Sequence, residues 1–318
     1  IISARDITER IAAERALADS EARFHTMIDW TYNWEYWLHA DGCLHCTSPS
    51  VERITGYPAD AFHADPALLH AIVHPDDREH WAEHLAAERA GSDGVLELQL
   101  RLCTRSGETR WVAHTCRPVI DAEGRDCGRR VTVRDITAEK AAADEIRALA
   151  FYDTLTHLPN RRLLLDRVQR ALAASRRSGE YGALLMLDLD HFKKLNDTQG
   201  HDVGDRLLIE VAQRLRGCIR QHETVARLGG DEFVVLLEGL GSSEVAAIAH
   251  AGRAVDKIRA ALGTPYALGA GTAAFHSTPS LGATLFAGDA VPVEGLLKQA
   301  DVALYQAKDA GRNAVRYF

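Results

Sequence analysis

The chain of 318 residues is long enough for two domains of ordinary size. Its composition, 46% hydrophobic and 26% charged, is that of a globular protein, and a formal net charge of -8 argues against a nucleic-acid substrate. Six irregularly spaced cysteines fit reduced thiols, so we expect a cytoplasmic protein.

Two segments near the start and the middle of the chain almost repeat, at residues 5–10 and 134–140. Each precedes a stretch rich in Ala, Glu and Arg, which are strong helix formers. We therefore expect residues 1–22 to be a linker helix that ends one module, and residues 23–137 to be a complete second copy of that module. The chain begins at Ile1 without Met, and we expect it to be a segment of a longer protein.

Residues 23–137 are predicted to form an α+β domain. Apolar and β-branched runs at 34–39, 95–103, 109–119 and 129–134 are separated by glycine turns, which predicts an antiparallel sheet. Residues 50–89 contain three prolines and predict short helices and loops on one face of that sheet.

The junction at residues 138–150 has no glycine or proline and predicts a helix that links the two domains. Ile136, Ala143 and Ala150 recur every seven residues, which is too short a repeat to predict a coiled coil. We expect this helix to pair with its twin in a second copy of the chain.

Residues 151–318 alternate between helix and strand patterns and predict an α/β domain with a central sheet. The predicted elements are, in order, helix 161–175, strand 183–189, helix 203–219, strands 225–228 and 233–237, helices 243–262 and 292–310, and strand 314–317. The uncharged stretch from Ala260 to Gly288 is broken by glycine and proline every few positions, so it predicts short strands and turns and no membrane segment.

Acidic residues lie where two predicted strands end. Asp188 closes the apolar strand, and Asp231 and Glu232 follow two glycines that let a backbone approach a ligand closely. If the strands are neighbours, these carboxylates converge and suit Mg²⁺ and substrate phosphates. The alternative is a solvated acidic hairpin tip.

Lys308 and Arg312 are candidate phosphate ligands, and the alternative is a pair of exposed basic residues. Their spacing places them on one face if the helix continues. Gly311 is typical of a helix C-terminus, which would put Arg312 just past the last turn.

At this point five segments together resemble the GGDEF family of diguanylate cyclases. They are residues 153–161, 188–197, 200–205, 226–233 and 300–313. The resemblance implies a polymerase-palm-like central sheet and the condensation of two GTP into cyclic di-GMP with release of two pyrophosphates. It implies Mg²⁺ as the cofactor, with Mn²⁺ as a substitute, and a homodimer, because each domain holds one GTP.

The resemblance also assigns roles by position. Asp188, Asp231, Glu232 and the Leu189 carbonyl would ligate the metal, with Gly230 beside them and Glu232 assisting deprotonation of the ribose 3′-hydroxyl. The expected substrate-binding residues are Asn196 and Asp205 on guanine, and Phe192, Lys193, Lys308 and Arg312 on the phosphates.

This chain departs from the family pattern in two places. His157 stands where the family often has Gly. The product-inhibition motif Arg-x-x-Asp corresponds here to Arg220 and Glu223, whose side chain is one methylene longer than Asp, so we expect a degenerate inhibitory site.

Residues 23–137 resemble a PAS sensor domain, through segments 48–50, 54–57, 74–78, 110–112 and 135–137. Such domains bind haem, flavin, a metabolite or nothing, and the sequence does not identify the ligand. The pairs His70/His74 and His80/His84 are candidate metal or haem ligands, with loop and amphipathic-helix roles favoured. Cys43 and Cys46 on a predicted strand have no second pair at zinc spacing, so a structural role is favoured.

The leading hypothesis is therefore a PAS-regulated diguanylate cyclase acting as a homodimer. One alternative is a catalytically silent GTP-binding domain that regulates a C-terminal phosphodiesterase domain absent from this segment. A PAS-mediated scaffold is the weakest option, because it leaves the intact acidic and guanine-binding residues unexplained.

Overall fold

The computed structural model describes residues 30–89, 94–268 and 275–318, together with 11, 12, 14–16, 19 and 26. The chain divides into two compact units, residues 1–144 and 145–318. The predicted linker helix at 1–22 and the first copy of the repeat lie mostly outside the described residues. No described helix combines the length and the apolarity that crossing a lipid bilayer requires.

The first unit contains a five-stranded antiparallel sheet of order β2-β1-β5-β4-β3. The strands are β1 (Trp34–Leu38), β2 (Leu44–Thr47), β3 (Leu96–Cys103), β4 (Thr109–Ile120) and β5 (Asp126–Asp135). The helices are α1 (Ser50–Thr55), α2 (Ala59–Ala64), α3 (Leu68–Ala71) and α4 (Arg78–Arg89), with a 3-10 turn at Pro75–Asp77. This is the predicted architecture, except that β2 begins after Cys43 and so carries only Cys46 of the pair.

The core of the first unit mixes apolar and polar side chains. Trp34, Phe62 and Trp81 pack between the helices and one face of the sheet. His114 and Cys116, two residues apart on β4, point into the same core, since alternate residues of a strand share a face. Burial lowers the pKa of His114 to about 3 and raises that of Cys116 to about 12, so both side chains are neutral near pH 7.

Helix α5 (Thr137–Phe151) follows β5 directly and runs from the first unit into the second. Asp135 accepts hydrogen bonds from both the amide and the hydroxyl of Thr137, which starts the helix. Ile146 and Leu149 are exposed on α5, at 68% and 57%, although both are apolar.

The second unit has a five-stranded sheet of order β10-β9-β6-β8-β7, antiparallel except where β10 runs parallel to β9. The strands are β6 (Tyr181–Leu189), β7 (Thr224–Gly229), β8 (Glu232–Leu237), β9 (Pro279–Ala287) and β10 (Val315–Tyr317). The helices are α6 (Arg161–Ser178), α7 (Phe192–Gln199), α8 (His201–Cys218), α9 (Glu244–Leu262) and α10 (Val293–Asp309).

Strand β6 is the centre of this sheet and is covered on both faces. Leu185 and Leu187 pack with the cluster that includes α8 and α9, whereas Leu184 and Met186 pack with α6 and α10. The continuous apolar run in the sequence follows from this double burial. Packing on both faces therefore fixes the position of the polar residues at the end of this strand.

Candidate active site

The turn between β7 and β8 has the backbone geometry that its glycines predict. Gly229 and Gly230 have φ values of 149° and 53°, in the region that favours glycine. Arg227 holds the turn, because its Nε and Nη2 donate to the Gly230 carbonyl at 3.0 and 2.8 Å. Its Nη1 donates to Asp153 Oδ1 at 2.9 Å, which ties the turn to the start of the unit.

Asp153 belongs to the same support. Burial raises the pKa of Asp153, but hydrogen bonds from Thr156 and the ion pair with Arg227 outweigh it and hold the pKa below its ordinary value. Nearby, His157 has a φ of 53°, in the left-handed region. Glycine adopts such a conformation with less strain than a residue that carries a Cβ.

The predicted carboxylates meet at the end of β6. Asp188 lies directly opposite Glu232 in the β6–β8 register, so the two side chains leave the sheet on the same face. Burial and then the charge of Asp188 raise the pKa of Asp231, which shows that anionic groups are crowded there. Lys308 Nζ lies 2.6 Å from an Asp188 carboxylate oxygen and already supplies one positive charge.

A cavity of about 460 Å³ opens beside these carboxylates. Seven of the predicted site residues line it: Asp188, Leu189, Phe192, Lys193, Asp231, Lys308 and Arg312. The cavity therefore combines acidic groups with basic side chains and one helix start. Such a combination suits a phosphate chain bound together with a divalent cation.

The helix start belongs to α7. His191 precedes it with a φ of 62° and provides no side-chain cap. The amides of Phe192 and Lys193 are in the first turn, where no helical carbonyl is available to accept from them. A helix start of this kind binds phosphate oxygens well.

The two predicted guanine ligands lie beside the cavity and do not line it. Asn196 on α7 packs against α8 so closely that a Cβ on Gly204 would lie 1.9 Å from its Oδ1. This oxygen is buried and has no hydrogen-bond partner among the described residues. Asp205 follows Gly204 and is exposed, so the two polar groups are neighbours at the α7–α8 junction.

The position of Arg312 decides between the two sequence alternatives. Helix α10 ends at Asp309, Gly311 has a φ of 104°, and Arg312 lies past the last turn with a φ of 66°. Of the two alternatives, a shared helical face for Lys308 and Arg312 is therefore excluded, and the glycine stop that places Arg312 past the last turn is the one observed. Both residues still line the same cavity.

Asp190 is a site residue to which the sequence assigned no role. It is buried, and its carboxylate accepts from the Thr278 and Ser280 hydroxyls, both at 2.7 Å, and from the Asn313 amide at 3.0 Å. These bonds fasten the loop that carries Arg312 to the end of β6. Its place directly after the buried strand was the signal that could have identified it.

Residues Arg220 and Glu223, expected to form the degenerate inhibitory site, lie in the loop before β7. Glu223 Oε2 accepts from the Arg220 backbone amide at 2.7 Å, while the Arg220 residue is exposed. The longer acidic side chain thus folds back onto its own loop.

The histidine pairs of the first unit do not form two-histidine sites. His70, which lies on α3 and not in a loop, accepts from Trp81 Nε1 at 2.9 Å, and His74 accepts from the Asp76 amide at 3.3 Å. His80 is exposed, whereas His84 enters the core.

Family models match both units of the chain. The model described as diguanylate cyclase, GGDEF domain, matches residues 150–314, and the model described as PAS fold matches residues 44–133. The chain therefore belongs to the GGDEF family, with a PAS fold before the GGDEF domain.

Individual relatives agree with this assignment. The bifunctional diguanylate cyclase/cyclic di-GMP phosphodiesterase MucR of Pseudomonas aeruginosa is 41% identical over 182 residues, which are 57% of this chain and 25% of MucR. Diguanylate cyclase TpbB of the same species is 41% identical over 167 residues, 52% of this chain and 37% of TpbB. The chain thus spans about a quarter of one relative and just over a third of the other.

One solved structure is also similar. It is the coiled coil and GGDEF domain of DgcB from Caulobacter crescentus in complex with c-di-GMP, at 27% identity and a TM-score of 0.51. The match covers 57% of this chain and 93% of that one.

Proposed function

We propose that the second unit condenses two GTP into cyclic di-GMP and two pyrophosphates, with Mg²⁺ or Mn²⁺ as cofactor. The observation that carries the proposal is the single cavity in which Asp188 and Asp231 face Lys308 and Arg312. Acidic groups without a cation-binding role are rarely gathered beside phosphate-binding groups, because they would repel the same substrate.

The donor set at the cavity fits a hard divalent cation. Asp188 and Asp231 offer carboxylate oxygens and Leu189 offers a carbonyl, which are the ligands that Mg²⁺ prefers. Glu232 does not line the cavity but adds a carboxylate opposite Asp188. Burial, and then the charge of Asp188, raise the pKa of Asp231, and a bound cation would favour its ionised form. When bound, the cation neutralises phosphate charge and favours ionisation of the attacking hydroxyl.

The remaining residues of the cavity hold the triphosphate. The amides of Phe192 and Lys193 donate to phosphate oxygens, and Lys308 and Arg312 add positive charge on the other side. Glu232, exposed and opposite Asp188, accepts the proton of the ribose 3′-hydroxyl.

Guanine specificity comes from the α7–α8 junction. Asn196 donates and accepts on the base edge, and the Asp205 carboxylate accepts from guanine N1–H and its 2-amino group. Adenine presents no donor pair at these positions, so ATP leaves Asp205 unpaired.

The second unit of each chain binds one GTP, so two copies of the chain must bring their cavities face to face. We propose a symmetric homodimer in which the exposed Ile146 and Leu149 of α5 pack against the same residues of the second copy. The PAS domain then regulates turnover by changing how the two α5 helices pair.

Incubation of the chain with GTP and Mg²⁺, followed by chromatography and mass determination of the product, tests the reaction. The rate of product formation should be about a thousandfold lower in Asp231→Asn, while GTP binding persists. Asp289→Asn, an exposed residue paired with Arg176, is the matched control and should behave as wild type.

Two outcomes count against the proposal. GTP binding without turnover in the wild type supports the catalytically silent domain instead. Equal turnover of ATP contradicts the role given to Asp205.

A further inference from the structure

The first unit buries three metal-ligating side chains from separate parts of the sequence. His84 comes from α4, and His114 and Cys116 come from β4. One ligand atom from each residue lies within 4.8 Å of the others, and the residues are 8%, 4% and 0% exposed. The cluster lies outside the cavity proposed to bind GTP.

The distances within the cluster match those of a small ion's coordination shell. His84 Nε2 lies 3.6 Å from Cys116 Sγ and 3.2 Å from Glu88 Oε1. A tetrahedral Zn²⁺, with bonds of about 2.0–2.1 Å to N or O and about 2.3 Å to S, separates N and S ligands by about 3.6 Å and N and O ligands by about 3.4 Å. Glu88 is thus placed to complete the set, and its side chain is only 9% exposed.

The surroundings orient the ligands. Tyr36 Oη hydrogen-bonds His114 Nε2 at 2.9 Å, which leaves Nδ1 to bind a metal. That Nδ1 is buried and lacks a hydrogen-bond partner of normal geometry among the described residues. Trp81 stacks on His84 with centroids 5.5 Å apart and meets His114 edge-on at 5.0 Å, which fixes both rings. Metal-binding histidines are commonly oriented by a hydrogen bond to their second ring nitrogen, as Tyr36 provides for His114.

A purely structural cluster accounts for less of this arrangement. A network of ion pairs and hydrogen bonds joins Arg129, Glu88, His84 and Cys116, but it leaves the His114 Nδ1 unpaired in the core. A cavity in the first unit, of about 460 Å³, is lined by Tyr36, Trp81 and Glu88, so it reaches one residue of the proposed set.

We propose that His84, His114, Cys116 and Glu88 bind one divalent transition-metal ion, of which Zn²⁺ is the representative. Two imidazoles with a thiolate select such ions over Mg²⁺, which takes oxygen ligands. Cys116 releases its proton on binding. The ion links α4 to β4, which are separated in the sequence by β3.

Cobalt titration of the full chain, stripped of metal by a chelator, tests the site. A thiolate-to-cobalt charge-transfer band should appear and reach its maximum at one equivalent of Co²⁺. Added Zn²⁺ should then displace the Co²⁺ and remove the band. An oxygen-only site for Mg²⁺ cannot give this band, so Co²⁺ bound in the GTP cavity is distinguished.

Cys116→Ser should remove the band, and His84→Gln should weaken binding by about a hundredfold or more. Cys103→Ser, in the neighbouring strand of the same sheet, is the matched control and should keep the band. Circular dichroism checks that each variant is folded. A folded wild type without a stoichiometric band overturns the proposal, as does a band that survives in Cys116→Ser.

Discussion

The two units of the chain place their chemistry in opposite settings. In the second unit, carboxylates, an ammonium and helix amides surround an open cavity at the end of the central strand. In the first unit, two imidazoles, a thiol and a carboxylate from β4 and α4 lie together at the core. Oxygen ligands, which suit a cation that arrives with the substrate, therefore lie in the open cavity, whereas nitrogen and sulfur ligands, which suit a permanently bound ion, lie in the core of the other unit.

The two settings also differ in what holds the residues in place. Polar bonds support the cavity of the second unit: Arg227 joins Asp153 to the glycine turn, and Asp190 holds the loop that carries Arg312. In the first unit, a hydrogen bond between Tyr36 and His114 and the ring contacts of Trp81 hold the cluster. Four predictions test how the second unit is held together and what it recognises, from the largest expected effect to the smallest.

Arg227→Ala should lower kcat/KM for GTP by about a hundredfold, because the glycine turn loses the bonds that position Asp231 and Glu232. Steady-state measurement of pyrophosphate release gives the value. Arg170→Ala, which breaks only an exposed ion pair with Asp166, should leave kcat/KM unchanged. Wild-type kinetics in Arg227→Ala would show that the turn needs no such support.

Asp205→Asn should raise the KM for GTP by about 5- to 150-fold, which corresponds to the loss of a bond to guanine of about 1–3 kcal/mol. Inosine triphosphate, which lacks the 2-amino group, should be affected less. Asp202→Asn, an exposed residue one turn earlier on α8, is the control. An equal change for both nucleotides would contradict guanine recognition by Asp205.

Asp153→Asn should destabilise the second unit at pH 7 by about 1–3 kcal/mol. Since the folded pKa is depressed, the carboxylate stabilises the unit above its unfolded pKa of about 3.9, and this contribution is lost as the pH falls through the lower folded pKa. Urea unfolding across this range measures it, with Asp166→Asn as control. A difference between wild type and variant that does not shrink toward low pH would refute the assignment.

His157→Gly should stabilise the second unit by about 0.5–1 kcal/mol, because glycine adopts a φ of 53° without strain. This net gain already allows for the greater conformational entropy of glycine in the unfolded chain. His157→Ala keeps the Cβ and should give no gain. The same unfolding experiment compares them, and a gain of equal size in both variants would remove backbone strain as the cause.

The sequence predicted the open cavity better than the buried cluster, for physical reasons. Asp188 and the glycine turn lie on adjacent strands, and strong local signals mark both: an unbroken apolar run and a pair of glycines. His84 is 30 residues from His114 and on a different type of element, so only the folded chain shows that they meet.

Two elements of the second unit were also not predicted individually. Helix α7 buries only Phe192 and Leu195, too few for a clear helical period. Strand β9 has single Ser, Gly and Thr residues between its apolar ones, and it packs against α10. A Cβ on Gly282 would lie 2.1 Å from the Ala300 carbonyl oxygen, so the strand needs glycine there for reasons of tertiary packing.

The central claim is that the carboxylates at the end of β6 form a guanylate-condensing site, and Asp188 tests it most directly. The measurement is the amount of cyclic di-GMP, identified by mass, that wild type and Asp188→Asn form from GTP and Mg²⁺ at equal concentration. We predict stoichiometric release of two pyrophosphates per product by the wild type, and product formation lower by about a thousandfold in the variant. Equal product in both proteins would contradict the claim, as would a folded wild type that binds GTP and forms none.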